Sequence, residues 1–267
     1  RTTGFIACSH ALATQLTFEL HPFPLCATVL DAFAPVWTRQ EGKPGFLALI
    51  GSEEKRRTLV ELLKRPGLDW ENGIFDAGFE EIIITQTDLD GLAGKSLAQV
   101  AALWGLDNYE AMFELLRRDI EVMVISGGIA EEDVKYVIKH PLGMVASDGF
   151  IYGREAGLVH PRAYSAFTTV LAGYARDEGF LSLPEAVNKM SGLPAWKLGL
   201  PDRGLIKPGF AADLFIFDLW NLAGKSTYTD PHHLAEGAVH VLVNGRPAIK
   251  DGRLTGRRPG RVLRKNR

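Results

Sequence analysis

The run Met144-Val145-Ala146-Ser147 ends at once in Asp148-Gly149. A short apolar run after a proline turn reads as a strand covered on both faces, the kind found in parallel sheets. A carboxylate at the C-terminal end of such a strand is costly to bury unless a metal, a cation or hydrogen bonds meet it. In a β/α barrel that strand end is where catalytic residues sit. Asp-Gly is also a common turn pair, and the residues alone favour neither reading. Twelve positions on comes His160-Pro161-Arg162-Ala163-Tyr164, a dense polar and aromatic group just before an amphipathic helix.

Composition limits what surrounds these segments. The 267 residues suit one large α/β domain, or a domain with a small satellite. Lys+Arg 30 against Asp+Glu 32 leaves a net charge of -2, which gives no global attraction to nucleic acid or to an anionic membrane. The basic tail from Arg257 reads as a solvated terminus. Cys8 and Cys26 fit no metal-binding spacing and read as reduced thiols of a cytoplasmic protein. No apolar run reaches a membrane span, and no signal-peptide pattern is present. A start at Arg1 without Met suggests that the natural N-terminus is missing.

Periodicity organises the rest. Residues 10 to 14, with His10, read as a helix end, and Leu16 to Leu20 as a strand closed by His21-Pro22-Phe23-Pro24. Glu53 to Lys64 is an amphipathic helix with Leu59, Leu62 and Leu63 on one side. Glu81 to Thr85 and Val122 to Ile125 read as strands, and Tyr109 to Arg118 and the segment opening at Glu131 as helices. Ser96-Leu97-Ala98-Gln99 and Ser182-Leu183-Pro184-Glu185 are capping boxes. The second opens a helix expected to turn Ala186, Val187 and Met190 inward. Alternating strands and helices argue for parallel α/β architecture. A helix from about Ala166 to Arg176 follows the His160 group. Beyond Pro208-Gly209 the character changes. His240 to Val243, Asn244-Gly245 and Arg246 to Ile249 form the strongest hairpin signal in the chain.

These residues resemble a known family. Ser147-Asp148-Gly149, His160-Pro161-Arg162-Ala163-Tyr164 and Leu183-Pro184-Glu185-Ala186-Val187, with Met190-Ser191-Gly192-Leu193-Pro194-Ala195, resemble the C-terminal half of the D-aminoacylases, or N-acyl-D-amino-acid deacylases, of the amidohydrolase superfamily. Asp202 to Leu214 resembles that superfamily's return into its small β-sandwich, and Thr255 to Gly260 its closing segment. The similarity is dense from about 92 to 263 and thin before 50.

The resemblance implies an α/β fold: the C-terminal part of a (β/α)8 TIM-type barrel with an insertion, plus a small antiparallel β-sandwich subdomain. The implied bounds are 1–203 for the barrel portion, with the insertion at about 31–120, and 204–267 for the subdomain. It implies zinc-dependent hydrolysis of the amide of N-acyl-(D-)amino acids. Asp148 is then the catalytic carboxylate, in contact with the metal, and Arg162 the guanidinium that holds the substrate carboxylate. His160 and His21 join Arg162 on the substrate side. From the residues themselves, His160 and Tyr164 read more readily as loop and packing groups, and His232-His233 as structural.

The chain departs from the family pattern in two ways. No His-x-His pair is present, and His21-Pro22-Phe23 stands where the family tends to have Tyr-Pro-Tyr. The stretch from His21 to Asp148 is also far longer than the ~30 residues of a simple βαβ unit. The chain is therefore expected to hold two barrel strands, the missing N-terminal barrel half lying in the same or another chain. The expected partner is a small-molecule N-acyl amino acid, with no nucleic acid and no membrane. Another amidohydrolase reaction on a cyclic amide, or a non-catalytic structural chain lacking the metal site, are the rival readings.

Overall fold

The computed structural model describes residues 16–67, 70–153 and 156–264. His10 and Cys8 lie outside them. β1 (Phe18–Leu20) and β5 (Gly143–Val145) pair in parallel, Phe18 opposite Gly143 and Leu20 opposite Val145. The ladder continues one step, with the Ala146 N–H donating to the Leu20 carbonyl at 3.1 Å. All three residues of β5 are buried, as an apolar run covered on both faces requires. Pro22 and Pro24 end β1. Because the strands run the same way, His21 and Ser147-Asp148 leave the sheet at one edge.

Between the two strands lies a unit with its own core. β2 (Cys26–Val29) leads through two 3-10 turns to α1 (Gly42–Gly51), α2 (Glu53–Leu63) and α3 (Gly73–Ala77). β3 (Ile82–Gln86), α4 (Leu97–Trp104), α5 (Asn108–Arg118) and β4 (Met123–Ser126) complete it. The sheet order is β2-β4-β3, and both pairings are antiparallel. This corrects the parallel arrangement expected for β4. An apolar run reports that both faces of a strand are covered; it does not report which way its neighbours run. Phe46, Leu59, Leu63, Ile84, Phe113 and Val124 are among the residues of this core. Leu59 and Leu63 are buried one turn apart, while Leu62 is exposed. The Ser96 box forms as read: the Gln99 N–H donates to Ser96 Oγ at 3.2 Å, and the Ser96 N–H to Gln99 Oε1 at 2.9 Å.

A second core covers β5. It is built by α6 (Glu131–Lys139), α7 (Arg162–Thr168) with its π-helical continuation Thr169–Asp177, and α8 (Leu183–Met190). Val134, Ile138, Val170, Leu171 and Ala186 meet there around Val145. Val187, expected inside, is exposed. It lies one residue past Ala186, about 100° round the helix. α9 (Gly192–Leu198) follows. Arg176, near the end of the π-helical turns, donates to the Leu219 and Leu222 carbonyls at 2.7 Å each. That ties the helix to the C-terminal unit.

The C-terminal unit is a four-stranded antiparallel meander of β6 (Leu214–Phe217), β7 (Ala238–Val243), β8 (Arg246–Lys250) and β9 (Arg253–Leu254). Asn244-Gly245 turns the β7–β8 hairpin with φ of 49° and 73°, and Asp251-Gly252 repeats the device at 50° and 71°. No helix among the described residues is long and apolar enough to cross a membrane.

Asn244 does more than turn. Its Oδ1 accepts from Arg203 Nη2 at 2.8 Å, and its Nδ2 donates to the Pro259 carbonyl at 2.8 Å. Asn244→Ala should therefore cost about 2 kcal/mol, from the lost hydrogen bonds and the strained left-handed backbone. Asp251→Asn, which keeps a residue that tolerates this conformation, should stay within about 0.5 kcal/mol. Urea unfolding followed by circular dichroism measures both, and equal effects would contradict this division.

Candidate active site

Asp148 stands three residues beyond β5 in the left-handed region, with φ at 49°. Few non-glycine residues adopt that conformation. Its Oδ2 takes Arg162 Nη2 at 2.9 Å; the Arg162 side chain is only 7% exposed and that of Asp148 is 65% exposed. Gly149 makes this approach possible. A Cβ there would lie 2.8 Å from Ala163 Cα and 3.1 Å from the Arg162 carbonyl oxygen. Any larger residue would push the loop off the first turn of α7.

Arg162 is held from behind. Its backbone N–H donates to His160 Nδ1 at 3.0 Å, and His160 Nε2 lies 2.8 Å from the Leu25 carbonyl. These partners assign the ring: Nδ1 accepts, Nε2–H donates, and the imidazole is neutral. Burial is the main reason the His160 pKa falls to about 4; the Leu25 hydrogen bond opposes this, and Arg162 and His21 add to it. Arg162 Nη2 also reaches the Ala27 carbonyl at 3.4 Å. The segment just before β2 thus holds His160, and β2 itself meets the guanidinium.

His21 follows β1 directly and is 7% exposed. Its Nε2 is 3.9 Å from Cys26 Sγ, and its Nδ1 has no partner. Burial lowers its pKa first, and the Arg162 charge lowers it further, against a smaller opposing effect of Asp148. Burial raises the Cys26 pKa, so this is a protonated thiol and not a nucleophile. Tyr228, in the long connection between β6 and β7, sets its ring edge-on to His160 at 5.2 Å and to Phe23 at 6.4 Å. Burial pushes its phenol up to about 12. No motif marks Tyr228 in the sequence; only the folded connection brings it here.

The remaining candidates lie apart from this centre. Tyr164 Oη bonds His232 Nδ1 at 3.0 Å, and His232 Nε2 meets the Ala156 carbonyl at 2.8 Å. The pair fastens the loop after Asp148 to the C-terminal unit, which is a structural task. A cleft of about 740 Å³ opens beside Ser147 and Arg162. A carboxylate at a barrel strand end is expected to face a polar cavity shared with Arg162. This one is walled largely by apolar side chains, among them Phe167, Leu171, Met190, Ile206 and Phe217, and Asp148 does not line it.

Among the described residues no group of three His, Cys, Asp or Glu side chains could hold a metal ion. His160 has committed both ring nitrogens, and Asp148 is engaged by Arg162. These donors do not make a zinc site by themselves. What they can offer is an accessible carboxylate able to carry a proton, beside a buried planar cation suited to binding a carboxylate.

Comparison with known proteins shows what the chain is similar to. Residues 157–249 match the Amidohydrolase family model. An N-acyl-D-aspartate deacylase from Alcaligenes xylosoxydans xylosoxydans is 31% identical over 257 residues, covering 96% of this chain and 42% of that protein. A D-aminoacylase from the same organism is 36% identical over 172 residues, covering 64% of this chain and 34% of the relative. The structure of N-acyl-D-glutamate deacylase from Bordetella bronchiseptica, complexed with zinc and a phosphonate inhibitor that mimics the tetrahedral intermediate, superposes with a TM-score of 0.73 at 28% identity. That match covers 99% of this chain and 46% of the other. The chain thus spans less than half the length of these relatives.

His160 gives this centre a pH signature. The unfolded chain binds its proton near 6.5, whereas the folded ring resists protonation to about 4. Between those values the unfolded state holds more protons, so stability present above pH 6.5 is lost as the pH falls toward 4. The loss should be on the order of 2–3 kcal/mol. His160→Asn should remove that share of the slope. Denaturant titrations at pH 7 and pH 4.5 test this, and parallel losses in both proteins would contradict it.

Proposed function

We propose that this chain, which belongs to the D-aminoacylase family of the amidohydrolase superfamily, forms part of a zinc-dependent deacylase that hydrolyses the amide of N-acyl-(D-)amino acids. The products are a carboxylate and an amino acid. The observation that carries this reading is the Asp148–Arg162 pair, 2.9 Å apart, just beyond the C-terminal end of a buried parallel strand. β1 and β5 are read as two strands of a (β/α)8 barrel interrupted by the antiparallel insertion, within 1–203. The meander of 204–267 is read as part of a small β-sandwich. The rest of the barrel is assigned to the remainder of the protein, in the same or another chain.

In this reading Asp148 is the proton carrier, taking a proton from the attacking water and delivering it to the departing amine nitrogen. Arg162 receives the α-carboxylate, for which a planar guanidinium fork is better suited than a point charge. His21 lines the same edge, with Nδ1 available for a polar contact. His160 keeps Arg162 in place. Zinc is assigned to the whole protein on the strength of the relatives. The described residues offer no group of three candidate ligands, so beyond a contact from Asp148 the zinc ligands are assigned to the rest of the protein.

Asp148→Asn in the full-length protein should leave the fold and metal content intact and lower kcat by about two to four powers of ten. Assays with N-acetyl-D- and N-acetyl-L-amino acids, with metal analysis alongside, check this. An unchanged kcat would remove Asp148 from the mechanism. A wild-type protein that hydrolyses neither substrate would favour a structural chain.

A further inference from the structure

We propose that the Asp148–Arg162 pair makes the substrate's α-carboxylate a requirement for turnover as well as for binding, because that carboxylate releases Asp148 from Arg162. The inference rests on the deacylase reading above and specifies how its two principal residues cooperate.

The two partners are unequally held. Arg162 is 7% exposed; its backbone N–H is fixed by His160, and its Nη2 also faces the Ala27 carbonyl. Asp148 is 65% exposed, and its carboxylate makes one ion pair, to that same Nη2. Asp148 is therefore the member free to move. Its backbone already sits in the sparsely populated left-handed region. Gly149 packs against the first turn of α7, so the freedom lies in the exposed Asp148 side chain and not in the loop backbone.

A ligand carboxylate arriving at the Arg162 fork meets a nitrogen that already serves Asp148. Two carboxylates on one guanidinium repel each other, and the weakly held one gives way. Bidentate binding of the ligand then replaces the single bond to Asp148. With no ligand carboxylate, the oxygen that must accept the proton stays on Arg162. A simple anchoring role for Arg162 would raise KM for a ligand without a carboxylate and leave kcat alone. Release of Asp148 predicts that kcat falls too.

The test compares an N-acetyl-D-amino acid with its α-carboxamide on the full-length protein, resolving kcat from KM. The expected result is a kcat at least about tenfold lower for the carboxamide, partly restored by added formate, which can occupy the fork. Arg162→Gln, which removes the clamp, should turn over the carboxamide faster than the wild type does. If that variant fails to fold, the substrate comparison and the formate response decide the matter alone. Equal kcat for acid and amide, with only KM changed, would overturn the proposal while leaving the deacylase reading standing. Failure to hydrolyse the acid itself would overturn both.

Discussion

One short parallel pairing, Phe18–Leu20 against Gly143–Val145, decides where the polar groups of this protein meet. Parallel strands bring their C-terminal ends to the same edge, so His21 and Asp148, far apart in sequence, emerge side by side. An antiparallel pairing would send them to opposite ends. The insertion can be long because it starts and ends near that edge. β2 and the residue before it are anchored through the Ala27 and Leu25 carbonyls on Arg162 and His160. The C-terminal meander is fastened to the same region through Arg176 and through the Tyr164–His232 bond.

The balance of polar groups at that edge is uneven. Arg162 has a charged partner and a carbonyl, and both nitrogens of His160 have backbone partners. These are the usual conditions under which buried polar groups are tolerated. His21 and Tyr228 are the exceptions, with the buried His21 Nδ1 and Tyr228 Oη left unpaired. An unsatisfied buried polar atom costs about 1–3 kcal/mol. The burial that lowers the His21 and His160 pKa values also keeps both rings neutral at pH 7, so Arg162 is the cation available to an incoming carboxylate.

Much of this was legible from residue patterns. The helices at Glu53, Tyr109 and Glu131, both capping boxes and the Asn244-Gly245 hairpin are local features, set by side chains within a turn or two of each other. The pairing direction of Val122 to Ile125 was not legible, because a strand buried on both faces has the same composition in either orientation. Val187 reads as an inward apolar residue, yet the helix turns it outward while Ala186 is buried. At the site, Asp148 and Arg162 could be singled out from the end of an apolar run and from a resemblance. Their contact could not, nor could the Ala27 carbonyl or Tyr228, which come from distant segments. The tautomer of His160 follows only from partners 135 and 2 positions away.

The central claim is that the described residues contribute a carboxylate and the guanidinium that governs it, and not a complete metal centre. The most direct measurement is the zinc content of the purified 267-residue chain by itself, taken with its hydrolysis of an N-acetyl-D-amino acid. The account predicts well under one zinc per chain and no hydrolysis, since a catalytic zinc site typically needs three protein ligands. Stoichiometric zinc with measurable turnover would contradict it.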